Sequence, residues 1–315
     1  MAEGSVLIVA GPTGSGKSAL ALAAAEVFGG VVINADSAQV YRELRVLTAR
    51  PDAATDTRAP HRLYGVLPAA ERCSAGRWLA LAEEAIRDAW ASGRLPIVTG
   101  GTGLYLRALT DGLAPVPPVP DAVRTEAEAL YAELGGERFR DALARHDPRS
   151  AATLHPSDRQ RLVRAFEVVR ATGRPLGAWQ QQPPVRALAA ARFATLVLAP
   201  ERRSLYAGLD ARFDAMLEAG ALAEVAALLD LRLDPGLPAM KALGVRELAR
   251  VLAGEEELAT AAAVAKQATR RFAKRQMTWL RHQVAADTVI NAQYLERIRT
   301  ESFAFIRRHL LTRDA

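Results

Sequence analysis

Lysine is scarce in this 315-residue chain: it stands only at 17, 241, 266 and 274, and arginine supplies the rest of the 41 basic side chains. A lysine at position 17 in so arginine-rich a background points to a site that needs a compact point charge rather than a planar fork. Cysteine is scarcer still. The lone Cys73 excludes an internal disulfide and has no ligand set around it, so a half-buried thiol is expected. The five histidines lack metal-binding spacing. No apolar run approaches the length of a membrane span, and no basic flank or cleavage pattern precedes the first apolar run. The expectation is a soluble, cytoplasmic protein with no membrane partner. Apolar residues nonetheless make up 50% of the chain, enough to bury a full core in one large domain with an insertion or in two domains. The formal net charge of +6 suits an anionic partner, although arginine richness alone could produce it.

Strand-like runs lie at Val6–Ala10, Val31–Ala35 and Pro96–Thr99, separated by helical patterns at Ser18–Val27 and Ala75–Ala91. That alternation predicts a parallel sheet with crossover helices. Prolines 115, 117, 118 and 120 break the pattern, and residues 121 to about 182 show helical periodicity without a convincing strand. Pro183-Pro184 closes this stretch and Phe193–Ala199 reads as a strand rejoining the sheet. A last short strand is expected near Thr288–Asn291, then a helix to about His309. The fold class is therefore α/β, a P-loop NTPase-like parallel sheet flanked by helices, with an inserted all-helical domain. Residues 1–115 and 185–315 form the core and 116–184 the insertion.

Gly11-Pro12-Thr13-Gly14-Ser15-Gly16-Lys17-Ser18 follows the first strand and fits the G-x-x-x-x-G-K-[ST] loop that cradles a polyphosphate. Its glycines let successive N–H groups converge on phosphate oxygens, the helix opening at Lys17 presents its positive end, and Ser18 can hold Mg²⁺. The second strand ends in Asp36, the only carboxylate well placed above the loop; the strand ending at Thr99 runs instead into Gly100-Gly101-Thr102-Gly103. Spacing alone leaves Asp36 either a metal-orienting residue or a general base. There is no N-K-x-D guanine motif, which disfavours a nucleotide-controlled binding switch, while a small-molecule kinase stays open. Basic residues gather in two helical stretches. One holds Lys266, Arg270, Arg271, Lys274, Arg275 and Arg281 with no acid between Glu257 and Asp287; the other holds Arg159, Arg161, Arg164 and Arg170 against Asp158 and Glu167. Lys266, Arg270 and Lys274 share a face that reads as an unpaired stripe suited to nucleic-acid phosphates. Ser157 with Gln160 reads as a capping box for the second helix.

These motifs together resemble the bacterial tRNA dimethylallyltransferase family. The resemblance extends over essentially the whole chain. It is carried by the phosphate loop, Asp36-Ser37-Ala38-Gln39-Val40-Tyr41-Arg42, Gly100-Gly101-Thr102-Gly103-Leu104-Tyr105, His155-Pro156-Ser157-Asp158-Arg159-Gln160-Arg161 and Thr269-Arg270-Arg271-Phe272-Ala273-Lys274-Arg275-Gln276. It implies transfer of a dimethylallyl group from dimethylallyl diphosphate to the exocyclic amine of the adenosine 3′ of a tRNA anticodon. The adenine would be flipped into a channel between core and insertion. Residues 11–18, from Gly11 and Pro12 through Thr13, Gly14, Ser15 and Gly16 to Lys17 and Ser18, would then hold a leaving group, with Mg²⁺ on Ser18. Asp36 would accept the amine proton, and Lys17 and Arg212 would assist catalysis. Asp36, Ser37, Gln39, Thr102, Arg124, Gln160, Arg161 and Arg164 would contact the anticodon stem-loop, and a monomer is expected. The chain departs from the family pattern at Gly208, where a second arginine is usual, and at Val245, where tyrosine is common. Two other activities stay open on the residues alone: prenylation of free adenine nucleotides, as in cytokinin synthesis, and phosphoryl transfer by a small-molecule kinase.

Overall fold

The computed structural model describes residues 4–294 and 298–311. Its elements run β1 (Ser5–Ala10), α1 (Lys17–Phe28), β2 (Gly30–Asn34), α2 (Ala53–Arg58), β3 (His61–Arg62), α3 (Ala75–Ala91), β4 (Leu95–Gly100), α4 (Gly103–Asp111), α5 (Asp121–Ala144), α6 (Pro148–Thr153), α7 (Arg159–Thr172), α8 (Leu176–Gln180), β5 (Arg192–Leu198), α9 (Arg202–Glu218), α10 (Ala221–Asp230), α11 (Val245–Leu252), α12 (Leu258–Gln283), β6 (Thr288–Ile290) and α13 (Arg299–Leu311). The chain divides into two compact units, residues 1–110 with 187–315 and residues 111–186.

The first unit is an α/β layer structure. Its sheet has the order β3-β2-β4-β1-β5-β6, and every pairing is parallel. Every residue of β1, β2 and β4 is buried, as continuous apolar strands covered on both faces must be. Alanines make the helix contact tight: Ala21, Ala24 and Ala25 of α1 are buried beside Leu20 and Leu22, in one core with Val9, Ile97 and Leu196. β1 is central, paired with β4 on one side and β5 on the other. From β1 the chain crosses to β2 and β3 on one side, returns to lay β4 between β2 and β1, and then continues to β5 and β6 on the other side. Crevices at the carboxyl ends of such strands are where open α/β sheets bind ligands. The two-residue β3 was not expected, being too short to leave a periodic signature.

The second unit is helical. Its core joins Ala127, Phe139 and Leu143 of α5 to Leu162, Val163, Phe166 and Val169 of α7. α5 is broken at Gly135, whose φ of 70° is left-handed. The unit closes on itself through an antiparallel bridge in which Leu113 N–H donates to Val185 O at 3.2 Å and Val185 N–H to Leu113 O at 2.8 Å. α7 is capped by Asp158, which accepts from Arg161 N–H, rather than by the expected Ser157; the Ser157 hydroxyl is turned to His155 Nδ1 at 2.8 Å. A carboxylate at the N-cap faces the positive end of the helix, which favours it over the neighbouring hydroxyl.

Candidate active site

The phosphate loop leaves β1 at the switch point and turns into α1 through two left-handed glycines, Gly14 (φ 79°) and Gly16 (φ 82°). The left-handed dihedral angle favours glycine at both, and at Gly16 sterics demand it as well, since a Cβ there would lie 2.7 Å from Tyr294 Cβ and 3.1 Å from its backbone nitrogen. Leu20 is the first α1 residue whose N–H reaches a carbonyl four back, Gly16 O at 3.1 Å. Among the described residues, the N–H groups of Lys17 and Ser18 have no protein acceptor. They are the orphan donors that suit a helix start to anions. Lys17 Nζ donates to Pro12 O at 3.3 Å.

Charge at the site is set by three side chains. Burial pushes the Lys17 ammonium down from 10.5 to about 8, the attraction of Asp36 opposes the fall, and the repulsion of Arg212 adds to it. Burial likewise lowers Arg212, again opposed by Asp36. Arg212, reaching in from α9, donates to Thr13 Oγ1 at 3.5 Å. The structure therefore gathers Thr13, Lys17, Asp36 and Arg212 about one loop. Two cations and one carboxylate leave an excess of positive charge held in a desolvated place, which a diphosphate would neutralise.

Asp36 is fixed by the turn that follows β2. Its N–H donates to Asn34 Oδ1 at 2.8 Å, its Oδ1 accepts from Ala38 N–H at 2.9 Å, and Asn34 Nδ2 donates to Asp36 O at 3.0 Å. Trp78 Nε1 holds Asn34 O at 2.8 Å from behind. Thr102, in the loop after β4, accepts from Ser37 N–H through its hydroxyl at 2.9 Å. Gln39 is committed to the backbone, donating to Thr48 O at 2.8 Å and Ala49 O at 3.3 Å. Burial raises the phenols of Tyr64 and Tyr105, and the Asp36 charge raises both further. The Asp36 charge is thus felt by two neutral phenols and by the Lys17 and Arg212 cations.

Three residues outside the expected set hold the loop. Gln276 of α12, only 5% exposed, accepts from Thr13 N–H at 2.8 Å and donates to Gly101 O at 2.9 Å. Gln293 Nε2 donates to Gly14 O at 2.8 Å, and Tyr294 N–H to Ser15 O at 2.9 Å. The signal for Gln276 was available: it lies on the same face as the buried Ala273 and Leu280, where an amide needs partners. Gln293 and Tyr294 lie in an irregular segment after β6, without a pattern to mark them.

The basic stripe of α12 is corrected in part. Lys266 Nζ bonds Asp214 at 2.6 Å and Arg270 Nη1 bonds Asp210 at 2.6 Å, both acids on α9. Two of its cations are neutralised locally because α9 packs alongside with carboxylates one turn apart. Arg271, Lys274, Arg275 and Arg281 are exposed.

In the second unit, Glu167 is 1% exposed and accepts a two-pronged bond from Arg124 (2.9 and 3.0 Å) and a third from Arg164 (2.7 Å). These three bonds hold the Glu167 carboxyl below the usual range against the opposing effect of burial. Arg161 is well exposed, with a 3.5 Å pair to Asp158, and Gln160 is exposed.

For a divalent ion, the donor chemistry on offer is hard oxygen: the exposed Ser18 hydroxyl and the Asp36 carboxylate. Among the described residues no group of three or more His, Cys, Asp or Glu could hold a metal by itself. Mg²⁺ commonly keeps its waters and takes one or two protein oxygens plus substrate phosphates, so these residues fit an ion that arrives with a diphosphate. Among the described residues, no helix is long and apolar enough to cross a membrane.

The family model described as IPP transferase matches residues 39–283, and that described as isopentenyl transferase matches residues 4–66. The tRNA dimethylallyltransferase of Rhodospirillum centenum is 58% identical over 281 residues, covering 89% of this chain and 90% of that protein. Its counterpart in Parvibaculum lavamentivorans is 54% identical over 313 residues, covering 99% and 98%. Among solved structures, the full-length tRNA isopentenylpyrophosphate transferase of Bacillus halodurans is similar with a TM-score of 0.70 at 30% identity, covering 98% of this chain and 97% of that one. A eukaryotic dimethylallyltransferase acting on tRNA is similar with a TM-score of 0.81 at 25% identity, covering 98% and 80%. On this identity, held over nearly the full length of each relative, the chain belongs to the tRNA dimethylallyltransferase family.

Proposed function

We propose that the protein transfers a dimethylallyl group from dimethylallyl diphosphate to the exocyclic amine of the adenosine 3′ of a tRNA anticodon, releasing diphosphate. The allylic carbon–oxygen bond breaks, its electrons leaving with the diphosphate. The amine nitrogen then bonds to the allylic carbon and its proton passes to the Asp36 carboxylate. Charge growing on the diphosphate meets the N–H groups of Lys17 and Ser18, the Lys17 ammonium and the Arg212 guanidinium, donors already in place before reaction. Bound Mg²⁺, held by Ser18, would add Lewis-acid stabilisation of the same oxygens. Because the amine is a poor acid, proton removal accompanies or follows bond formation, and the double anchoring of Asp36 through Asn34 and Ala38 makes position count as much as basicity.

The observation that carries this reading is the partnering of the phosphate loop with a fixed Asp36 and two desolvated cations, inside a chain more than half identical to tRNA dimethylallyltransferases. For RNA contact we infer Ser37 and Thr102 in the first unit, together with the exposed Arg271, Lys274 and Arg275 of α12. The second unit would contribute Gln160 and Arg161 as RNA contacts. Arg124 and Arg164 would serve chiefly to hold Glu167 and so to orient α7, and Gln39 to shape the loop around Asp36. The protein is taken to act as a monomer.

The test incubates the protein with dimethylallyl diphosphate, Mg²⁺ and unmodified tRNA, then weighs the digested nucleosides. A dimethylallyl mass increment on adenosine supports the proposal. Transfer from γ-labelled ATP to a small acceptor, with no prenyl incorporation, would replace it by a kinase. Preference for free AMP over tRNA would make it a nucleotide prenyltransferase.

A further inference from the structure

We propose that Gln276 is a positioning residue for the leaving diphosphate, an inference that rests on the prenyl-transfer reading. A glutamine in the buried face of a helix is costly unless both ends of its amide are satisfied. Here each end takes a backbone group from a different strand-end loop: the carbonyl accepts Thr13 N–H from the phosphate loop after β1, and the amino group donates to Gly101 O in the loop after β4. The side chain is therefore a two-sided tie between the two loops that flank the switch point. It also sorts the donors of the phosphate loop. Thr13 N–H is withdrawn from the cradle, leaving Lys17 and Ser18 N–H for the phosphates, and the Thr13 hydroxyl is turned to Arg212.

No other side chain of this length does the same work. Methionine fills the space with neither donor nor acceptor, and an ionised glutamate accepts at both ends and repels the Gly101 carbonyl. The space is also closed from the far side, since a Cβ on Gly101 would collide with the Gln276 amide and lie 3.0 Å from Gly11 O. Glycine at 101 and glutamine at 276 thus specify one another. Gln276 acts on the donor through Thr13 and Arg212, whereas RNA affinity depends on exposed cations elsewhere on α12.

The experiment measures pyrophosphate binding by calorimetry in the presence of Mg²⁺, donor KM and kcat, and tRNA binding, for wild type, Gln276→Met and Gln276→Glu. Gln276→Met should bind pyrophosphate roughly ten- to a hundredfold more weakly, with tRNA affinity unchanged. Gln276→Glu supplies the readout that a purely structural role would not move. With its carboxyl protonated it mimics the amide, hydroxyl to Gly101 O and carbonyl to Thr13 N–H. Its pyrophosphate affinity relative to wild type should therefore be near one at about pH 5.5 and fall as the carboxyl ionises toward about pH 7.5. Wild-type pyrophosphate binding with an unaffected Met variant, or a flat Glu-to-wild-type ratio across that range, overturns the inference while leaving the prenyl-transfer reading standing. Failure of the wild type itself to bind pyrophosphate or prenyl diphosphate overturns both. Should the Met variant fail to fold, the Glu ratio decides.

Discussion

Lys17 makes the sharpest quantitative prediction, because its proton is held weakly until a ligand arrives. In the free protein, burial leaves the ammonium at about 8, against an ordinary value of 10.5. A diphosphate beside it restores the charged form, so binding is coupled to proton uptake wherever the free lysine is neutral. If the complex returns the group to its ordinary value, the stabilisation recovered from this source is up to about 3 kcal/mol. Below pH 8 the lysine is already charged and pyrophosphate affinity should be insensitive to this group. Above it, the apparent Kd should rise about tenfold between pH 7 and 9 and about tenfold more by pH 10. Stability carries the matching sign. Between about 8 and 10.5 the unfolded chain holds a proton on Lys17 that the ligand-free fold does not, so stability from this group rises with pH across that window and is diminished below it. Saturating pyrophosphate should abolish that rise. Calorimetric titration at several pH values, repeated in buffers of different ionisation enthalpy to count protons, measures the coupling. Lys17→Arg keeps the charge on a group that does not titrate there and shares the ligand's own ionisation with wild type, so the ratio of wild-type to variant Kd should carry the rise assigned to Lys17. A ratio constant from about pH 7 to 9.5, the arginine variant having the same slope as wild type, refutes the argument.

Asp36→Asn retains the acceptor for Ala38 N–H but not the base, and should lower kcat by about 10²- to 10⁴-fold with tRNA affinity unchanged; a parallel loss of tRNA binding would make Asp36 a binding residue. Neutralising Lys274 and Arg275 to Gln should weaken tRNA binding and reduce the slope of log K against log salt by roughly 1–2. The same change at Lys266 and Arg270, already paired with Asp214 and Asp210, should leave the slope unaltered, and equal effects would show the pairs to be irrelevant. Glu167→Ala leaves Arg124 and Arg164 without their shared partner and should destabilise the second unit by about 2–4 kcal/mol, less than for fully buried pairs because both arginines reach solvent. Faster amide exchange in α5 and α7 is the measure, and unchanged protection there would contradict it.

What the sequence discloses about this molecule is what short range determines. The phosphate loop, Asp36 at the end of β2 and the helix of α3 are each specified by neighbours within a few residues, and periodicity placed them within a residue or so. β3 escaped because two residues carry no period, and its place in the sheet comes from pairing with β2. The misreadings share a different cause. The α12 stripe looked unpaired because its partners lie 52 and 60 residues away on α9, a helix whose register no local rule could supply. Spacing does set Arg164 against Glu167, three apart on one helix; what it lacks is Arg124, which joins them from 43 residues upstream. Gln276 lies 263 residues from the loop that it holds, yet it broke a rule visible in the sequence, a polar residue on the apolar face with Ala273 and Leu280. An amide in such a place is either a fault in the core or a tie to something unseen, and burial without partners costs too much for the first. That exception in α12 carried information about Thr13 which neither segment's own pattern contains: the phosphate loop is completed by a residue near the other end of the chain.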